Sequence, residues 1–148
     1  MKIRKGTTND LNCIVNFTLN LAKETESKEL NKEVVKKGVL KILEGEIQGE
    51  YFVCEINGEI AGQIMILYEW SDWRNGYFIW IQSVYVDSKY RNKGVFKTMF
   101  DHIKDFCSSN SEFLGLRLYV DKNNKNAMEA YSKAGMYESN YKFYQYMK

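Results

Sequence analysis

Apolar and polar positions recur along this chain with two different periods, and each change of period marks an element. Lys2 to Lys5 is a short strand-like run. Thr7 and Asp10 then stand at capping-box spacing ahead of Leu11, Ile14, Val15, Thr18 and Ala22, which repeat at helical intervals. A charged stretch, Lys23 to Glu29, leads to Asn31 as the N-cap of a second helix. The stripe of that helix is Val35, Val39, Ile42 and Leu43, and Gly38 weakens it. The period then drops to two. Tyr51 to Ile56 is a β-rich run closed by Asn57-Gly58, the strongest short hairpin signal, and Glu59 to Tyr68 returns as its partner. A second turn at Arg74-Asn75-Gly76 sends the chain into Tyr77 to Val86, long and almost wholly apolar, which reads as a central strand.

Val95, Met99, Ile103 and Phe106 return to helical spacing, and Leu114, Leu116, Leu118 and Val120 alternate as a strand, so this part is a strand, helix, strand crossover. A last helix starts near Asn124, places Ala127, Tyr131 and Ala134 on one face and stops at Gly135. The aromatic tail Tyr141 to Tyr146 reads as a final strand. The expected fold is α/β (α+β): a mixed, mostly antiparallel central sheet of about six to seven strands, flanked by about four helices. No linker, low-complexity block or internal period interrupts the sequence, and the expectation is one domain over residues 1–148.

Composition narrows the chemistry. The 148 residues carry a net charge of +2, too balanced for the basic stripe that duplex nucleic acid requires, so no nucleic-acid partner is expected. Three cysteines, Cys13, Cys54 and Cys107, are odd in number and sit inside apolar patterns, which supports neither a disulfide framework nor a four-thiolate metal site. With His102 as the sole histidine, paired-histidine zinc motifs are excluded, and no metal is expected. The start lacks a secretory apolar core and no apolar run reaches the roughly 18 residues of a membrane span. The expected setting is reducing and cytoplasmic, with no membrane partner.

The informative segment runs from Val84-Tyr85-Val86 through Asp87-Ser88-Lys89-Tyr90 to Arg91-Asn92-Lys93-Gly94-Val95-Phe96-Lys97, a strand end followed by a loop and the first turn of a helix. At such a junction the leading helical N–H groups lack acceptors and the dipole is positive, so a pyrophosphate can settle there. Gly94 allows close backbone approach, and Arg91, Lys93 and Lys97 add charge. Taken alone, one glycine in a basic turn also fits an ordinary βα loop.

Arg91-x-x-Gly94-x-x after a Val-Tyr-Val strand resembles motif A of the GCN5-related N-acetyltransferases (GNAT family). Further on, Leu118-Tyr119-Val120-Asp121-Lys122-Asn123-Asn124, Ala127, Ala130-Tyr131 and Lys133-Ala134-Gly135-Met136 resemble that family's second signature. The likeness spans nearly the whole chain, though the first 50 residues match only in pattern. It implies a sheet splayed between the Val84 and Leu118 strands, with acetyl-CoA as co-substrate. It also implies pantetheine contacts on the backbone around Val84, Tyr85 and Val86 and pyrophosphate contacts at Asn92, Lys93, Gly94, Val95, Phe96 and Lys97. Asn124 matches the family's cofactor-side asparagine and Tyr131 its general acid. Phe96 stands where the family usually has Gly or Ala, so a large ring either packs inward or crowds the phosphate loop.

The implied reaction is attack of a neutral amine on the thioester. A main-chain N–H of the Val84 to Val86 strand meets the oxygen as charge develops, and Tyr131 protonates the leaving sulfur. Tyr131 also fits a buried aromatic of the core. Some relatives carry a glutamate where this chain has Tyr119, so the base is open. Glu69 and Asp72 are candidates for removing a proton through water or for anchoring a cationic amine, and both also fit hairpin caps or partners of Arg74. Trp70 and Trp73 are candidate walls for the acceptor, whereas Trp80 reads as sheet packing. The helical stretch Leu21 to Leu43, with Glu24, Glu26, Lys28 and Glu29, fits a solvated surface, and the resemblance implies that it covers the acceptor site, which makes it a second candidate for acceptor selection. His102 has no assigned role. The leading reading is an acetyltransferase acting on a small-molecule or peptide amine. The alternatives are a non-catalytic acyl-CoA sensor and, on the 15% aromatic content, a single-stranded nucleic-acid binder. An aromatic final strand is also an edge on which a second copy can pair as a homodimer.

Overall fold

A computed structural model describes all residues, 1–148. The chain divides into two compact units, Met1–Leu118 and Tyr119–Lys148. The first contains strands β1 (Lys2–Lys5), β2 (Gly49–Ile56), β3 (Glu59–Ser71), β4 (Gly76–Val86) and β5 (Phe113–Arg117), with helices α1 (Leu11–Glu26), α2 (Lys32–Leu43) and α3 (Val95–Ser108). The second contains α4 (Lys125–Lys133).

The five strands form one sheet in the order β1-β2-β3-β4-β5. The first four are antiparallel neighbours, and β5 alone runs parallel, on β4. The β2–β3 connection is the tight turn its sequence demands: Asn57 and Gly58 both take positive φ, 51° and 82°, as a hairpin turn matching the strand twist requires. The parallel neighbour needs a crossover, and α3 supplies it.

Each sheet face buries against its own helices. On one, Tyr51, Val53 and Met65 pack with Ile14 and Val15 of α1 and Val39 of α2, the apolar stripes read from the sequence. On the other lie the completely buried Ile64, Ile66 and Ile79, with Val95, Met99, Phe100 and Ile103 supplied by α3. Gly62 lets α3 come close: a Cβ there would stand 2.8 Å from the Tyr85 carbonyl and 3.1 Å from Met99 Cε.

The sheet has five strands, not six to seven, and the difference lies at the C-terminal end. The strand expected over Leu114 to Val120 ends at Arg117, and Tyr141 to Tyr146 forms no strand. Tyr141, Phe143, Tyr144 and Tyr146 are all exposed, so this aromatic run is not a sheet edge. Aromatic composition favours a strand only where a neighbouring strand and a buried face receive it. Within the second unit, Asn124 caps α4 by accepting from Ala127 N–H at 3.2 Å, and Gly135 takes φ 92° after it. The Tyr119 and Phe143 rings stack at 5.3 Å. No helix is long and apolar enough to cross a membrane.

Candidate active site

The site follows from where the parallel ladder stops. β5 pairs with β4 from Tyr77↔Phe113 to Trp80↔Arg117, and from Ile81 to Val86 β4 is paired only on its other side, with β3. The ladder stops because β5 itself ends at Arg117, one residue short of Leu118, so past Trp80 no strand lies on this side of β4. Beyond Trp80 the β4 main chain faces this gap with donors and acceptors that an extended ligand can pair with, as an added strand would.

Along the same stretch β4 carries an extra residue. Gln63 pairs with Tyr85 but Met65 pairs with Gln82, so three steps of β4 oppose two of β3. Ser83 takes the strain, with φ 49°. Such a bulge redirects the main chain locally and is found beside active sites. Nothing in the sequence pattern marks it, because a serine in an apolar strand carries no bulge signal.

β4 ends in the loop that opens α3. Asn92 and Gly94 adopt left-handed φ, 60° and 79°, and α3 begins at Val95. Left-handed residues on either side of Lys93 turn successive N–H groups into a concave cradle, and the first N–H groups of α3 add to it. A Cβ at Gly94 would meet nothing within 4 Å, so only its backbone conformation calls for glycine. Residues and fold thus fit a pyrophosphate bound through the main chain.

The basic side chains are used locally. Arg91 donates through Nε to the Val86 carbonyl at 3.0 Å and through Nη2 to Glu24 Oε2 at 2.5 Å. Tyr85 donates to the other Glu24 oxygen at 2.8 Å, and the Arg91 guanidinium lies 5.4 Å from the Tyr85 ring centre. The Glu24 contact, foremost, raises the Arg91 pKa above its ordinary value. Burial, foremost, raises that of Tyr85. This ties the last turn of α1 to the loop that opens α3, a contact between residues 67 apart that no local pattern announces. Lys97 pairs with Asp101 one turn on, and Lys93 lies over the Tyr90 ring at 5.5 Å. Phe96, the departure from the family pattern, packs on Phe100 at 5.6 Å between ring centres.

Glu69 accepts from Trp80 Nε1 at 2.8 Å and from Arg117 Nη1 at 2.7 Å, and the Arg117 guanidinium lies 3.5 Å over the Phe78 ring. Register places Glu69, Phe78, Trp80 and Arg117 on the face that packs on α1 and α2 nearer β1. Trp80, read as packing, is also the donor that holds Glu69. Asp72 caps the β3–β4 turn by accepting from Trp73 N–H at 3.0 Å. Trp73 is 83% exposed at that tip, and Trp70 lies edge-on against Tyr77 at 4.8 Å. These residues are not gathered with the cofactor loop. Glu69 opposes Phe78, six residues before Val84, or about 20 Å along a strand, and the tip lies beyond Gly76, eight residues before Val84, or about 26 Å along a strand. His102 packs on Phe52 at 5.2 Å between ring centres. In the second unit, Tyr131 follows Asn124 by two turns of α4, and burial raises its pKa. No group of three or more metal-ligating side chains is present.

Known proteins share both the motifs and the fold. The acetyltransferase (GNAT) family matches residues 16–136. A possible acetyltransferase from Clostridium difficile 630 is 48% identical, with a TM-score of 0.94 over 99% of this chain and 97% of that one. Glucosamine-6-phosphate N-acetyltransferase from Arabidopsis thaliana is 25% identical, with a TM-score of 0.72 over 99% and 98%. A protein from Clostridium acetobutylicum, described as a predicted acetyltransferase with acetyl-CoA, shares the fold at 16% identity, with a TM-score of 0.78 over 98% and 95%. No curated protein matches the chain. The chain belongs to the GNAT family of acetyltransferases. It is an acyltransferase.

Proposed function

We propose that this chain transfers an acetyl group from acetyl-CoA to a primary amine of a small molecule or peptide by direct attack on the thioester. One observation carries the reading: the β4–β5 ladder stops at Trp80↔Arg117, and β4 runs on into a loop with two left-handed residues at the start of α3. Acetyl-CoA supplies an activated acyl group. The main chain of Val84 to Val86 holds the pantetheine arm, and the N–H groups from Asn92 to Lys97 hold the pyrophosphate, with Arg91 keeping the strand end and the loop in register. A Val84 to Val86 N–H donates to the thioester oxygen as negative charge grows there, a contact worth about 2.7–4 kcal/mol in well-formed oxyanion sites. From the second unit, Tyr131 gives its proton to the departing sulfur and Asn124 serves the cofactor side. Their distance along β4 favours an anchoring role for Glu69 and Asp72, with Trp70 and Trp73 as aromatic contacts for the far end of an extended cationic acceptor.

Acetyl-CoA mixed with a panel of polyamines, amino acids, amino sugars and peptides tests this. Release of free CoA thiol with acetylated amine in the mass spectrum is expected for at least one class. Absence of turnover across the panel, with no calorimetric binding of CoA, overturns the proposal.

A further inference from the structure

Gln63 is completely buried, yet its Oε1 has no hydrogen-bond partner. A native core seldom keeps such a group, because an apolar side chain of similar size would avoid the desolvation cost. Its Nε2 explains what the amide does. That nitrogen donates to two oxygens, Thr18 Oγ1 and the Ser83 carbonyl, both at 3.2 Å. The Thr18 hydroxyl already gives its hydrogen to the Ile14 carbonyl at 2.9 Å, so toward Gln63 it can only accept. The Ser83 carbonyl can only accept as well. Both therefore require the nitrogen, the amide can face only one way, and Oε1 is the atom left over.

Ser83 is the left-handed residue of the β4 bulge. The peptide that joins it to Val84 is planar and trans, so its C=O and N–H point in opposite directions. With the carbonyl held toward the Gln63 amide, the Val84 N–H points the opposite way, away from that amide. We infer that Gln63 is a positioning residue: its buried amide clamps the bulge peptide so that the Val84 N–H is fixed toward the reacting carbonyl oxygen. The inference rests on the acetyl-CoA reading given above. It accounts for a buried polar group that packing alone would remove, and it makes donor direction, which a bare bulge leaves free, a property of the folded core.

The test is Gln63→Met, which keeps the volume and removes the donor. In the ligand-free protein the Val84 amide proton resonance is expected to move, and the melting temperature to hold or rise. With acetyl-CoA carrying carbon-13 in its carbonyl, the wild type is expected to lower the bound C=O stretching frequency, and the variant to lose most of that shift while binding CoA within about twofold. kcat is expected to fall on the order of tenfold to a hundredfold, less than the roughly 10²–10³ for deleting an oxyanion donor outright, with both KM values nearly unchanged. Should Met not fold, Gln63→Asn keeps an amide too short to reach Ser83 and serves the same measurements. An unmoved Val84 resonance, or a carbonyl shift equal to that of the wild type, overturns the role of Gln63 alone. A wild type that does not bind acetyl-CoA overturns the proposed function and this inference together.

Discussion

Asp10 does several jobs with one carboxylate. It is nearly buried, receives Arg4 through two bonds at 2.8 and 2.9 Å, and accepts from Thr7 N–H at 2.8 Å where the chain leaves β1 for α1. The Arg4 bond is the main reason its pKa lies below the usual carboxylate range, despite burial. Because the native pKa is depressed, this stabilisation is complete above the unfolded value near 4. It is lost as pH falls through the lower native value. Asp10→Ala is expected to cost about 2–3 kcal/mol at pH 7 by urea denaturation, and the gap from the wild type to narrow steadily below pH about 4. Tyr131 lies at the opposite extreme of titration. Burial raises its pKa, so its proton stays available through neutral pH. Tyr131→Phe is expected to lower kcat by about 10²-fold with CoA affinity intact, and the wild-type alkaline limb assigned to this group to lie above pH about 10. An equal rate in the variant would show the phenol to be core packing only.

At the scale of elements, the packing of α3 on β3 and β4 decides where the loop at Asn92 to Gly94 stands. Gly62 is the contact point, with Val95 Cγ1 3.2 Å and the Tyr85 carbonyl 2.8 Å from where a Cβ would sit. Gly62→Ala is expected to cost about 1–3 kcal/mol and to weaken CoA binding, since main chain must shift at the loop's own base; differential scanning and isothermal titration calorimetry check the two halves. Most elements were legible because their signals are local. The stripes of α1 and α2, the Asn57-Gly58 turn and the Asn31 and Asn124 caps all depend on residues a few positions apart, and each forms as read. Those that failed depend on distant partners. Leu118 and Val120 continue an alternating pattern that β4 no longer pairs with, and Tyr141 to Tyr146 has strand composition without a strand beside it. The site divides the same way. The glycine loop was visible in sequence, whereas the Ser83 bulge, the Glu24 grip on Arg91 and the Gln63 clamp join residues 17 or more apart and leave no periodic trace.

On the scale of the whole molecule, one sheet is asked to be closed at one side and open at the other. The middle of β2 and of β3 is buried, while the β4–β5 ladder stops at Trp80↔Arg117 and the Glu69–Arg117 pair at its end is only partly covered. Fixed polar contacts, not additional core, hold the open side in shape: Arg91 to Val86, Gln63 to Ser83, Trp80 to Glu69. The closed side supplies the permanence that lets the open side keep its geometry without a ligand.

Cys54 sits in the middle of that closed side, in β2 between β1 and β3, with no accessible surface, and burial holds its thiol protonated. A thiolate is what alkylating reagents attack, so this sulfur is silent until the sheet itself comes apart. In a chain carrying Cys13→Ser and Cys107→Ser, iodoacetamide is expected to label the remaining sulfur at least about a thousandfold more slowly than in urea, and mass spectrometry can follow it in dilute or crude samples. The molecule thus carries an internal clock for its own global opening, readable without dye, optical cell or any knowledge of its substrate.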